Sequence, residues 1–325
     1  MKIRIYVVGM ILLILTSACN DYTISTKINE DGSIERIIRI DSYSGSGRPE
    51  SLPFYVDNTW KSRIEKSAND TTKETMFYSK TFPNAEELNK ELAKGSKTKS
   101  VAKLEKKFRW FYTYFYYTET YKKTNPFKTI PLDNFFSAKE IDSLNTGLMS
   151  RGLSKKVDDV LSKCIVEELM DSISAVAQRN SLYDSNKLNL LKEKIYAKEL
   201  DTADKLIKEM EIIYGNKSVL VLKPDLERIF KGIENKMEYY MNPSNSVSFT
   251  ANVVMPGLIL NTNASTVEGN KLTWKPESEN YVFTDYKITA ESRVANTWAT
   301  LATGITVFVL ILILLVPVLR RKRYI

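Results

Sequence analysis

Polar and apolar residues alternate along two runs that meet at a turn early in the chain. Tyr22, Ile24, Thr26 and Ile28 share one side, and Ile34, Arg36, Ile38 and Ile40 continue the pattern after the turn. A period of two predicts strands, and Asp31-Gly32 supplies the positive φ angles of a tight hairpin. "SYSGSGRPES" (42–51) reads as a looping connection, residues 72–82 as a further strand and "NAEELNKELAK" (84–94) as a short helix. The middle of the chain changes period. Ser137 with Glu140 makes a capping box that opens a short helix. Val157, Val160, Leu161, Cys164, Ile165, Leu169, Ile173 and Val176 recur at steps of three and four. That spacing predicts one amphipathic helix, with Cys164 a buried, inert thiol on its apolar stripe. Residues 187–215 hold one or two more helices stopped at Gly215. A last one covers 223–241, with Pro224 in its first turn and Leu226, Ile229, Phe230, Ile233 and Met237 turned inward. The acid pairs Asp158-Asp159 and Glu167-Glu168 are adjacent in sequence, so they diverge on a helix and read as solvated surface. Alternation resumes at Val247, Phe249, Ala251 and Val253, breaks at Pro256-Gly257, turns at Gly269-Asn270 and ends in a strand within 281–296.

Strand-rich ends around a helical middle predict an α+β fold, with an antiparallel sheet built by the N- and C-terminal segments around a helical insertion. Residues 19–135 and 243–296 are the β-rich parts of one domain, and 136–242 are the insertion.

The stretch "LEKKFRWFYTYFYYTETY" (104–121) predicts one strand that is aromatic on both faces. Phe108, Trp110, Tyr112, Tyr114 and Tyr116 share one face, and Phe111, Phe115, Tyr117 and Tyr121 the other. A strand wetted on one side does not carry this pattern, so both faces are expected to be covered. Two readings stay open. The rings fill a sheet core, or Trp110, Tyr112, Tyr114 and Tyr116 wall an apolar-ligand pocket, with tyrosine hydroxyls placed for the polar head of a lipid.

The two ends carry a different signal. Lys2 and Arg4 precede an apolar run from Ile5 to Leu15, followed by Thr16, Ser17 and Ala18. A basic head, a short apolar run and a small-residue exit describe a secretory signal peptide over residues 1–18. Cys19 after those small residues resembles the lipobox of bacterial lipoproteins, although Thr16 stands where that family usually has Leu. The resemblance implies that the Cys19 thiol receives a diacylglycerol. A plain signal peptide with an incidental cysteine is the other reading. At the opposite end, Ala299 to Leu319 contains no charge and reaches about 31 Å as a helix, the thickness of a hydrocarbon core. Trp298 stands at one boundary and Arg320, Arg321, Lys322 and Arg323 at the other, the pattern of a transmembrane helix (297–319) with a cytoplasmic basic tail (320–325). These ends place the body outside a bacterial cytoplasmic membrane.

Composition narrows the chemistry. With 43% hydrophobic and 26% charged residues, the 325-residue chain is an ordinary folded protein and not a disordered one. The net charge of +8 suggests nucleic acid only until the six terminal cations are set aside, which leaves +2 for the rest. No nucleic-acid partner is expected. The chain has no histidine, which removes His-based acid–base catalysis and the common His-containing zinc sites. Two cysteines make no disulfide framework. No spaced carboxylate pair, phosphate loop, Ser-x-x-Lys motif or metal cluster is visible, so no catalytic residue, metal ligand or cofactor is expected.

The segment "VVMPG…TNA…VEGNKLTW", with Met255, Pro256, Gly257, Asn263, Ala264, Gly269, Asn270 and Trp274, resembles a recurring piece of LppM-type lipoproteins, and Asp31-Gly32-Ser33 is similar to their opening hairpin. The resemblance covers residues 19–41 and 246–325 and leaves the helical middle without a counterpart. It implies a lipobox, an extracytoplasmic β-rich domain akin to lipid-binding folds and one C-terminal span. The expectation is therefore a non-enzymatic, membrane-tethered envelope lipoprotein with a lipid or other apolar ligand. The alternative is a structural module that engages an envelope protein partner.

Overall fold

The chain reverses at Gly32, whose φ of +98° suits a residue without a Cβ, while the Asp31 carboxylate accepts from the Ser33 N–H at 2.8 Å and hydroxyl at 2.7 Å. The computed structural model describes residues 21–43, 55–66, 73–94, 99–146, 150–198, 200–241 and 248–321. The expected signal peptide, Cys19, most of the 42–51 connection and the tail beyond Arg321 lie outside them.

Gly32 joins β1 (Asp21–Ile28) to β2 (Ile34–Tyr43) in the expected antiparallel hairpin. β4 (Lys73–Phe82) pairs with β2, and a fully exposed strand, β3 (Lys61–Lys66), edges the sheet beyond it. On the other side come β7 (Phe249–Val254), β10 (Lys271–Trp274) and β9 (Thr266–Glu268), completing the order β3-β4-β2-β1-β7-β10-β9. A second sheet contains β5 (Ser100–Arg109), β6 (Tyr112–Tyr121), β11 (Tyr286–Ala295) and β8 (Leu258–Thr262), in the order β5-β6-β11-β8. The fold is α+β, as the alternation and its interruption predict. It has two sheets where the periodicity predicts one, and β1 and β7 join in parallel, Tyr22 opposite Phe249, because the chain returns from the helices beside the start of β1.

The inner faces of the two sheets share one core. Ile24, Ile28, Ile34, Ile38 and Ile40 from the first sheet meet Phe115, Tyr117, Tyr121 and Ile288 from the second. Helix α1 (Ala85–Lys94) packs on β5, held where the Asn89 side chain bonds both the N–H and the carbonyl of Ala102, each at 2.8 Å. The chain changes sheets between β7 and β8 at Gly257. Its φ is +72°, and a Cβ there would stand 2.2 Å from the Arg293 carbonyl oxygen. Other residues of the stretch 253–274 build the same corner. Asn263 accepts from the Trp274 indole at 2.9 Å and from the Thr289 N–H at 2.8 Å, tying the sheets together, and Asn270 donates to the Met255 carbonyl at 3.0 Å.

The helical part comprises α2 (Ala138–Thr146), α3 (Arg151–Arg179), α4 (Ser185–Ala197), α5 (Ala203–Tyr214) and α6 (Lys223–Met241). Ser137 and Glu140 form the expected capping box, and Gly215 ends α5 in the left-handed conformation. The α3 stripe is buried at Val157, Val160, Leu161, Cys164, Leu169, Ile173 and Val176. Its second half packs with α4, α5 and the start of α6. Its first half packs with Phe127, Ile130, Phe136, Val282 and Phe283, which bind the helices to the β body. The acid pairs do diverge, but Asp158 is not fully solvated. Desolvation, Glu279 and Asp159 push its carboxyl up to about 6. Glu167 and Glu168 receive Lys192 and Lys236, linking α3 to α4 and α6.

After β11 the chain enters α7 (Thr297–Arg321), whose segment Thr297–Leu315 is long and apolar enough to cross a membrane.

Candidate functional site at the aromatic hairpin and its helix

Residues 104–121, expected as one strand, fold as the β5–β6 hairpin with Trp110-Phe111 at its tip. Neither residue favours a tight turn, and the reversal is held from outside. The Asn296 side-chain amide donates to the Arg109 carbonyl at 2.7 Å and the Trp110 carbonyl at 3.2 Å, and the Asn296 N–H donates to the Phe111 carbonyl at 2.8 Å. The Thr113 hydroxyl returns a bond to Asn296 Oδ1 at 2.9 Å. Asn296 immediately precedes α7, and its own carbonyl accepts from the Ala299 N–H. One residue therefore fastens the hairpin tip to the start of the apolar helix.

Further contacts extend along that helix. Phe108 stacks on Trp298 at 6.2 Å, Trp110 meets the same ring edge-on at 5.4 Å, and the Trp110 indole donates to the Thr303 hydroxyl at 2.8 Å.

The hairpin does not have two covered faces. Thr113, Phe115, Tyr117, Glu119 and Tyr121 point into the core, while Tyr114 and Tyr116 are half-buried on the outer face and Phe108, Trp110, Phe111 and Tyr112 are exposed. The hairpin register moves the tyrosines beside cations of neighbouring strands. Lys107 lies over Tyr116 at 4.9 Å, Arg109 over Tyr114 at 5.7 Å and Arg293 over Tyr112 at 4.6 Å. Trp110, Tyr112, Tyr114 and Tyr116 thus form an outward sheet of rings and cations that ends at the helix.

The inward face carries a polar centre that the alternation alone does not announce. Arg36 Nη1 and Nη2 grip Glu119 Oε1 and Oε2 at 3.0 and 2.6 Å, and Ser100 and Tyr117 hydroxyls donate to the same carboxylate at 2.9 and 2.8 Å. Burial opposes the Arg36 charge, but the Glu119 carboxylate outweighs it and raises the guanidinium pKa; burial likewise pushes the Tyr117 and Tyr121 phenols up. The available signal was a charge of opposite sign at an inward position in each of two apolar alternations. A cavity of about 20 Å³, lined by Ile24, Arg36, Ile38, Tyr55, Trp60, Glu91 and Leu92, lies beside this pair and has room for a water, not for an acyl chain. The four predicted ligand residues are not among its lining.

Cys164 is buried on α3 and its thiol pKa is raised by desolvation. Among the described residues, no group of three or more His, Cys, Asp or Glu is placed to hold a metal ion.

Two packed sheets, a helical lobe and an apolar helix locked directly to the body define an α+β protein with a candidate membrane span. No protein-family model and no curated protein matches the chain. A solved structure does: the folded domain of LppM from Mycobacterium tuberculosis, determined by NMR, aligns over 85% of this chain and 91% of its own at 9% identity and a TM-score of 0.30.

Proposed function

We propose that this protein is a membrane-tethered bacterial envelope lipoprotein whose body works at the outer face of the cytoplasmic membrane as a lipid-contacting module, not as an enzyme. The observation that carries this reading is the junction at Asn296. The body passes into an outward-facing apolar helix with no linker, and four hydrogen bonds hold the two together. The signal-peptide pattern and the Cys19 motif supply the second anchor, and the C-terminal cations set the orientation. Lipid contact is assigned to the outer ring-and-cation face of Tyr112, Tyr114 and Tyr116, where hydroxyls and neighbouring cations suit a phosphate headgroup. The lack of histidine supports a binding role over catalysis. The test is topology. Protease added to spheroplasts is expected to degrade the body, and α7 to stay in the membrane pellet after an alkaline carbonate wash. A protected body, or a chain released by the wash, refutes the reading.

A second reading is favoured by the helical lobe, which exposes Ile212 at 73% and Val221 at 58% of their surface. In this reading the two side chains belong to the face that engages a protein partner. Crosslinking in intact cells is expected to capture an envelope protein from the native chain and to lose it in Ile212→Asp.

A further inference from the structure

The β5–β6 tip lies beside the first turns of α7, and its depth follows from the length of that helix. A span needs about 20 residues, and counting back from Arg320 places the start of the hydrocarbon near Thr300. Thr303, three residues deeper, then lies about 5 Å inside that boundary. The Trp110 indole bonds the Thr303 hydroxyl at 2.8 Å, so the hairpin tip is held at the same depth. The exposure of the tip fits that level. Phe108, Trp110 and Phe111 expose 57%, 50% and 46% of their surface, and Trp298 beside them 54%. Four large aromatics clustered in water are an unfavourable surface, whereas at a bilayer boundary their apolar rings are buried and indole N–H groups find partners. Arg109, directly behind the tip on β5, rests over Tyr114 on the outer face, where its charge stays at headgroup height.

We propose that the tip of the β5–β6 hairpin is a second membrane contact, seated in the interfacial zone of the bilayer that α7 crosses, so that the body stands at a fixed height and tilt. This rests on the membrane-tethered reading and adds an insertion that the reading does not require. The occupant of the aromatic patch is lipid, because the patch is continuous with the apolar helix and bonded to a residue inside the span.

The full chain, reconstituted into phosphatidylcholine vesicles brominated high on the acyl chains, tests this through tryptophan fluorescence. The difference between the native chain and Trp110→Phe isolates the signal of Trp110. Most of that signal is expected to be quenched by the brominated lipid and to be insensitive to iodide equilibrated across the vesicles. Phe111→Trp, which keeps the bond to Thr303, adds a reporter at the tip and is expected to gain a component with the same behaviour. It decides the matter if Trp110→Phe fails to fold. A signal quenched by iodide and not by bromine puts the tip in water and overturns the proposal. A signal insensitive to both puts it under protein, a second copy or a partner, and also overturns it. Retention in the vesicle pellet after carbonate reports α7 separately, so a dry tip on a retained chain refutes the insertion alone, and loss from the pellet refutes the tether.

Discussion

Arg36 and Glu119 face each other between the two sheets, with side chains 3% and 1% exposed. A buried pair of this kind is weak evidence of net stability, but breaking it leaves a charge without water or partner. Glu119→Ala is expected to cost about 3–5 kcal/mol in urea unfolding of the detergent-solubilised chain. The double replacement Arg36→Met with Glu119→Leu should recover much of that loss. If the double variant is no better than the single, the pair is needed for more than charge balance. Asp158 makes the pH-dependent case. Its folded pKa of about 6 lies above the ordinary carboxylate value because of burial, Glu279 on the turn facing it and Asp159 on its own helix, and Tyr240 of α6 feels the same two carboxylates of Asp158 and Glu279. The folded state therefore binds the Asp158 proton more tightly than the unfolded one. Its penalty is absent below about pH 4 and grows to full size as pH rises through about 6. Asp158→Asn is expected to raise the melting temperature at pH 7 to 8, by on the order of 1–2 kcal/mol in stability, and to change little near pH 4. An equal gain at both pH values would remove the electrostatic explanation.

At the level of elements, the corner at Gly257 decides which strand enters which sheet. Its positive φ and the 2.2 Å approach of a would-be Cβ to the Arg293 carbonyl leave no room for a side chain. Gly269 has a positive φ of +63° but open space around it. Gly257→Ala is therefore expected to cost about 2–4 kcal/mol, and Gly269→Ala about 1–2 kcal/mol, in the same unfolding measurement. Equal costs would mean that β8 moves freely away from β11. Both turns were legible in the chain as Pro256-Gly257 and Gly269-Asn270, but the change of sheet between them was not. A turn signal reports a local φ angle and carries no information about which neighbour the next strand will find. β3 was invisible for a related reason: "KSRIEK" is exposed at every position, so no buried face imprints a period on it.

On the scale of the whole molecule, Asn296 couples body to helix. Asn296→Ala removes three side-chain bonds and is expected to speed amide exchange at Arg109–Thr113 by one to two orders of magnitude, corresponding to about 1–3 kcal/mol, while β1 and β2 keep their protection. Unchanged exchange at the tip would show that the helix does not hold it. α7 could be read from its uninterrupted apolar run, and the elements whose own periodicity buries one face could be read directly: the β1–β2 hairpin, the α3 stripe with Cys164 and the inward face of α6. In each, the pattern along a few turns or a few pleats is enough, because burial acts on every second residue or every third and fourth. The aromatic stretch could not be read this way. Its residues are apolar on both faces, so alternation does not reveal the reversal at Trp110-Phe111, and the groups that stabilise that turn come from Asn296, nearly two hundred residues later. Arg36 was visible as a charge within an apolar alternation, yet only the packing of one sheet on the other gave it Glu119 as a partner. Local periodicity is written in neighbouring residues, whereas a turn held from a distance and a pair closed across a core exist only once the chain has folded.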